Sequence, residues 1–228
     1  MRIGGIQGGF IVSIVSNILD LLFPPKCIFC GKFLKKDTDC LCASCTATLP
    51  FTKGTQVSHK GDFFDVCVSP LIYKDDVRKS ILRYKFKGAV AYAECYGNIL
   101  ADCIKKNLAG KFNMITWVPL STKRARDRGY DQALLLALAV ALELDDVAVE
   151  TLVKNTNSQA QSSITDKEMR RANVSGVYEL KDRELIEGKH LLLIDDIVTT
   201  GSTLSECART LLMGGAESVV CATLARAL

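Results

Sequence analysis

A chain of 228 residues, 48% hydrophobic and 24% charged, has material for one large domain or for an ordinary domain with a small satellite, which excludes a disordered or fibrous protein. Its 29 Lys and Arg against 25 Asp and Glu leave a net charge of +4, too small for bulk electrostatics to define it, so any basic patch is local. Ten cysteines would fit a secreted disulfide framework in a shorter chain, but four fall in two C-x-x-C pairs, which points to metal binding in a reducing cytosol and a cytoplasmic protein.

Ile3 to Phe23 is apolar enough to resemble a membrane span. Gln7, Ser13, Ser16, Asn17 and Asp20 interrupt it, and Gly4, Gly5, Gly8 and Gly9 weaken a helix, so no membrane span is expected. A signal peptide competes better, since Arg2 would serve as its basic start, yet no small-residue cleavage site precedes Pro24-Pro25. Phe10, Ile14, Ile18 and Leu22 recur at helical spacing, which predicts an amphipathic helix within residues 1–25 that docks on the protein's own body.

Residues 26–62 form the expected metal module. Cys27-Ile28-Phe29-Cys30-Gly31 and Cys42-Ala43-Ser44-Cys45 each aim two sulfurs at one centre, and four thiolates meet the tetrahedral preference of Zn²⁺ in a closed structural site. So short a segment cannot build a core, so the metal supplies its folding free energy. A thioredoxin-like redox pair would need a strand–helix setting that is absent, and accidental thiols are the other alternative. Cys40 is a spare ligand and His59 a remote one; neither is needed.

Residues 63–228 alternate short apolar runs with helical patterns. Strands are expected over Val66–Tyr73, Met114–Val118, Val147–Val153, Leu191–Asp195 and Ser218–Leu224. Helices are expected over Asp75–Phe86, Val90–Asn107, Asp131–Leu144 and Ser202–Met213, the last ended by Gly214-Gly215. Asn155–Asn173 reads as a long polar loop, and loops of that length in a compact domain are usually functional. The alternation predicts an α/β domain with a parallel sheet covered by helices.

Leu191 to Thr203 carries the chemistry. A buried strand ends in Asp195 and Asp196, and the hydroxyl-rich turn Val198-Thr199-Thr200-Gly201-Ser202-Thr203 opens a helix. At the carboxyl end of a parallel strand, the backbone N–H groups of such a turn converge on a phosphate, helped by the helix N-terminus. Two carboxylates do not favour that phosphate, so their partners are sugar hydroxyls or Mg²⁺, and the stretch reads a phosphorylated sugar. A solvated Asp-Asp turn before an N-cap, or the acidic strand of an NTPase, are the competing readings; the second lacks G-x-x-x-x-G-K-S/T anywhere in the chain.

This segment resembles the 5-phosphoribosyl-1-pyrophosphate (PRPP) signature of type I phosphoribosyltransferases. With the cysteine pairs, the resemblance narrows to the ComF family, which joins an N-terminal zinc ribbon to a phosphoribosyltransferase-like domain. Further marks are Asp20-Leu21-Leu22-Phe23-Pro24, Tyr84-Lys85-Phe86-Lys87-Gly88, Val118-Pro119-Leu120, Arg128-Gly129-Tyr130-Asp131-Gln132, Arg170-Arg171-Ala172-Asn173-Val174 and Leu224-Ala225-Arg226. Asp131 stands where the family usually has Asn, Ser121 replaces a common Pro, and the loop glutamine is Gln159 or Gln161.

The resemblance implies displacement at the anomeric carbon of PRPP, with Mg²⁺ and cations stabilising the departing pyrophosphate and no protein nucleophile. It implies that Asp195 and Asp196 hold the ribose and that the turn at Leu120, Ser121 and Thr122 faces the pyrophosphate. Lys123, Arg124, Arg126 and Arg128 follow that turn, with Arg128 and Gln132 favoured as functional. Gln159, Arg170 and Asn173 would sit on a closing loop. No residue identifies the acceptor, and turnover itself is open.

Lys74, Arg78, Lys79, Arg83, Lys85 and Lys87, with Tyr84 and Phe86 among them, suit single-stranded DNA. The competing reading is a core stripe of Val77, Ile81 and Tyr84 with a solvated basic face. The resemblance favours DNA, because ComF proteins are implicated in DNA uptake during competence, where DNA-uptake proteins are further partners. The alternative function is thus a non-catalytic DNA- or partner-binding protein that uses the PRPP pocket as a sensor or scaffold. Cys67, Cys95, Cys103, Cys207 and Cys221 read as buried apolar residues, and His190 as a surface residue.

Overall fold

The structure is a computed structural model that describes residues 24–35, 40–154 and 177–228. The expected N-terminal helix and the polar stretch with Gln159, Gln161, Arg170 and Asn173 lie outside the described residues. The chain divides into two units, Met1–Leu49 and Pro50–Leu228. In the first, Lys26 and Phe33 form an antiparallel bridge around the first cysteine pair, and Cys42 caps helix α1 (Ala43–Thr48).

In the second unit, strands β1 (Ser58–His59), β2 (Cys67–Val68), β3 (Leu71–Ile72), β4 (Met114–Trp117), β7 (His190–Val198) and β8 (Ser218–Arg226) form one sheet in the order β1-β2-β8-β7-β4. β3 also pairs with β8, further along it than β2. Every pairing is parallel except β1 with β2. Strands β5 (Leu152–Lys154) and β6 (Tyr178–Leu180) make a separate antiparallel pair. The helices are α2 (Asp75–Phe86), α3 (Tyr92–Asn107), α4 (Thr122–Arg128), α5 (Gln132–Glu143) and α6 (Ser202–Met213).

β7 and β8 are apolar through most of their length because both faces of the sheet are covered. Leu191, Leu193 and Val198 pack with Leu204, Cys207, Ala208 and Leu211 of α6. Alternation turns Leu192 and Ile194 to the opposite face, the side of α3 and α5.

Sequence and structure part company where a backbone group or a partner decides. The expected strand Val66–Tyr73 is split into β2 and β3 by Ser69-Pro70, since proline has no N–H to give and Ser69 N–H turns aside to Val57 O at 2.9 Å. Ser69 Oγ is instead satisfied by Thr223 Oγ1 at 2.7 Å. Within the expected strand 147–153, Ala148 makes a single bridge to Ile115, and regular pairing begins only at Leu152. β7 runs on past Asp195 and Asp196 to Val198, paired with β8 throughout, so the two carboxylates lie within the strand and not at its end. The charge run after Thr122 is helix α4, capped by Ser121 and ended by Gly129 in the left-handed conformation (φ 79°).

α3 and α5 approach closely at Gly97: a Cβ built there falls 2.5 Å from Ala139 Cβ and 3.0 Å from its carbonyl carbon. Backbone cannot yield as a side-chain tip can. Gly97→Ala therefore destabilises the fold by about 1–3 kcal/mol, read as a lowered denaturation midpoint at unchanged slope; an unchanged midpoint contradicts this packing.

Candidate functional site

In the first unit, the sulfurs of Cys27, Cys30, Cys42 and Cys45 lie within 4.8 Å of one another, and Cys30 Sγ and Cys42 Sγ are 3.6 Å apart. A tetrahedron with Zn–S bonds of about 2.3 Å has edges of about 3.8 Å. The turn that builds the first pair is closed by Gly31 N–H to Cys27 O at 2.8 Å, with Gly31 at φ 75°. Burial raises the Cys27 thiol, but N–H groups of Cys30, Cys42 and Phe29 outweigh it and bring it down to about 6. Cys45 is pushed well up, by burial first and then by the other thiols. A cation is what lets all four ionise together, and this is a structural zinc site. Cys40 and His59 are not members of the cluster.

In the second unit, a cavity of about 220 Å³ opens at the carboxyl end of the sheet. Asp195 and Asp196 lie in its wall with Leu120, Arg128, Gln132 and Thr203, and Lys85, Arg124, Asp131, Lys154 and Tyr178 complete its polar lining. A smaller recess of about 30 Å³ adjoins it, lined by Asp195, Val198 and the turn Thr199, Thr200, Gly201, Ser202 and Thr203. Gly201 takes φ 78°, which lets the chain leave β7 and enter α6 at once. Thr200 Oγ1 and Ser202 Oγ are 2.8 Å apart, so two hydroxyls stand beside the first N–H groups of α6.

The strand's alternation sends the two carboxylates to opposite layers. Asp196 meets α2, where Lys85 Nζ lies 2.8 Å from its Oδ1 with both groups largely buried. Asp195 lies toward Tyr178 and Cys207, and its Oδ1 accepts from Asp196 N–H at 2.8 Å. Burial, then the Asp196 charge, pushes the Asp195 carboxyl up to about 8.

Asp131 is a junction: its Oδ1 accepts from Ala133 N–H (2.9 Å) and Leu134 N–H (3.1 Å), and its Oδ2 from Leu120 N–H (3.0 Å). It caps α5 and commits the first N–H of the turn that the resemblance turned toward pyrophosphate. Arg128 donates to Gln132 Oε1 at 2.6 Å, and its guanidinium lies 4.7 Å from the Phe86 ring centre. Lys154 donates to Tyr178 OH at 3.0 Å; burial, and then Arg124, lowers its pKa.

Ser121 spends its hydroxyl on Arg124 N–H (3.4 Å), and Lys123 lies apart, in a surface recess with Thr122, Arg126 and Asp127. Lys85, read in the sequence as part of a DNA face, belongs instead to the cavity. Its clue was its place in Tyr84-Lys85-Phe86-Lys87-Gly88. Lys154 and Tyr178 gave no such clue, because they meet only when β5 pairs with β6 across the polar stretch.

The carboxylates leave limited room for Mg²⁺. Asp131 is spent on three N–H groups and Asp196 on Lys85, so Asp195 is the least engaged. Asp195 holds its proton to about pH 8, so a cation here would have to displace that proton, keep its waters and take most of its oxygens from a bound phosphate.

Residues 127–228 match the phosphoribosyl transferase domain family and residues 18–59 the double zinc ribbon domain family. The chain is 32% identical over 155 residues to the competence protein ComFC of Bacillus subtilis, covering 68% of this chain and 61% of that one. It is 27% identical to the ComFC protein of Streptococcus pneumoniae over 88% of this chain and 100% of that one. To the DNA utilization protein YhgH of Escherichia coli it is 34% identical, over 46% and 45% of the two chains. Among the described residues no helix is long and apolar enough to cross a membrane.

The Asp195 carboxyl has a pH consequence. An unfolded chain releases this proton near pH 4, whereas the folded chain holds it to about 8, so its contribution to stability is lost as pH rises through that window. Denaturation at a series of pH values should show the wild type losing on the order of a few kcal/mol relative to Asp195→Asn between these limits; parallel curves contradict the raised pKa.

Proposed function

The chain belongs to the ComF family, and from that premise we propose that its larger unit binds PRPP with Mg²⁺, transfers the phosphoribosyl group to an acceptor, and serves DNA uptake. The observation that carries this reading is one strand, β7, bringing two carboxylates beside a hydroxyl-rich turn that opens a helix. The turn Thr199–Thr203 takes the 5-phosphate on N–H groups and hydroxyls. Asp195 and Asp196 take the ribose hydroxyls. Arg124, Arg128 and Lys154 face the diphosphate with no carboxylate partner among the contacts described for them, which suits a multiply charged leaving group.

The chemistry is displacement at the anomeric carbon. The bond to the diphosphate oxygen breaks, the acceptor's lone pair forms the new bond, and the acceptor's proton leaves to solvent or to a base the acceptor brings. Mg²⁺, when bound, neutralises part of the diphosphate charge. Lys85 pairs with Asp196 and fixes it, so the Asp196 carboxylate favours positive charge on the ribose ring, while Asp195, which keeps its proton to about pH 8, donates a hydrogen bond to a ribose hydroxyl. Arg128 is held in place by Gln132 and Phe86, so it need not reorganise as charge builds.

Calorimetric titration of the zinc-loaded protein with PRPP and Mg²⁺ should show micromolar binding, weakened at least about 100-fold in the Asp195→Asn, Asp196→Asn variant, a loss of about 2.7 kcal/mol. No binding by the wild type rejects the phosphoribosyl site and leaves the non-catalytic, partner-binding alternative in the lead.

The relatives' names, a competence protein and a DNA utilization protein, support a place in DNA uptake. The basic helix is a narrower candidate for DNA than its sequence promised. Lys85 is withdrawn to Asp196, Lys79 pairs with Asp76 at 3.1 Å, Arg83 reaches Tyr92 OH, and Val77, Ile81 and Tyr84 are core. Lys74, Arg78 and Lys87 remain exposed. Arg78→Ala with Lys87→Ala should weaken oligo-dT binding about 10-fold and flatten its salt dependence by about two charges; unchanged affinity excludes this face as the contact.

A further inference from the structure

Helix α5 is apolar on its outer side as well as its inner one. Ala133, Leu136, Ala137, Val140 and Ala141 are buried against the sheet and α3, as a covering helix requires. Opposite them, Leu134, Leu138 and Leu142 recur every four residues, one turn apart, with Leu138 47% and Leu142 79% exposed. Val147, 69% exposed, continues the apolar surface beyond the helix end. A lone exposed leucine needs no explanation, but a stripe along the full length of a helix does. Its sequence, Gln132-Ala-Leu-Leu-Leu-Ala-Leu-Ala-Val-Ala-Leu-Glu143, is that of a helix covered on both sides.

We propose that this stripe is the contact between two copies of the chain, related by a two-fold axis that passes Leu138. In an antiparallel pair centred there, Leu138 meets its own copy, and Leu134 of each chain meets Leu142 of the other, so one patch complements itself. The charges at the helix ends favour the same occupant. Before α5 stands α4, whose Lys123 and Arg126 are exposed and lie outside the cavity, against one acid, Asp127; α5 ends in exposed Glu143, and exposed Asp145 and Asp146 follow it. Antiparallel association sets the basic end of each copy beside the acidic end of the other, whereas parallel association sets like beside like. A nucleic acid is disfavoured, because the stripe is apolar and one end of it is acidic. The surface also bears on the cavity, since Asp131, Gln132 and Ala133 at the start of α5 line it.

Sedimentation equilibrium on the zinc-loaded full chain tests this. The wild type should give twice the chain mass at about 100 μM, and Leu138→Glu should give the single-chain mass with unchanged zinc content and circular dichroism. Should Leu138→Glu fail to fold, Leu142→Gln, at the most exposed position of the stripe, should weaken the dimer about 10-fold. Asp146→Lys should weaken it at low salt, and mixing that variant with Arg126→Glu should restore association, because the two-fold axis joins position 146 of one chain to the α4 of the other. A wild type that stays single at about 100 μM, a Leu142→Gln dimer of unchanged strength, or charge variants that fail to rescue one another overturns the proposal.

Discussion

Two carboxylates on consecutive residues of a buried strand are an electrostatic liability, and the Lys85–Asp196 ion pair is what makes them tolerable. Removing either partner would leave an uncompensated charge in the interior, which typically costs about 3–5 kcal/mol. The other half of the liability is met by a proton: Asp195 keeps its own up to about pH 8, because burial and the neighbouring charge oppose its ionisation. One carboxylate is therefore paired with a cation and the other kept neutral by its surroundings. The pair presents different chemistry from adjacent positions.

The geometry that permits this is the alternation of β7. Consecutive residues face opposite layers, so Asp196 reaches α2 while Asp195 reaches toward β6 and α6. Pairing with β8 as far as Val198 turns them to opposite faces while both still line one cavity, where the Lys85 charge acts on Asp195 as well as pairing with Asp196. Gly201 then turns the chain into α6 within three residues, which brings the hydroxyl-rich recess against the cavity. The site is an outcome of how far one strand continues.

That continuation was not legible in the sequence. Asp is a poor strand former, so a reading by propensity ends β7 at the first carboxylate; tertiary pairing with β8 overrides it. The reverse happened at Pro70, which the apolar run Val66–Tyr73 appeared to absorb and which the backbone did not. Strong local signals carried over intact: α2 and α6 begin and end where their periodicity predicts, and the two cysteine pairs meet at one centre. Lys85 shows the limit of such signals. Composition assigned it to a basic face with its neighbours, but one residue along a helix is about 100° of rotation, enough to remove it from that face and bury its ammonium against a carboxylate. Lys154 and Tyr178 lie on either side of a stretch of more than twenty residues, and no local pattern marks two residues that meet only through a long-range pairing.

Asp131 ties these levels together. An asparagine here would bring one carbonyl oxygen and an amide that donates; the carboxylate brings two acceptors, and the structure uses both, on the turn at Leu120 and on the first N–H groups of α5. The turn is thereby tied to the helix, and displacement of one is felt by the other. Leu134, whose N–H Asp131 caps, is also the first residue of the outer apolar stripe. One side chain thus joins the start of that stripe to the turn in the wall of the cavity. The rigidity has an electrostatic cost, because a third carboxylate then stands near a site suited to polyanions, and Arg124, Arg128 and Lys154 are the cations that offset it.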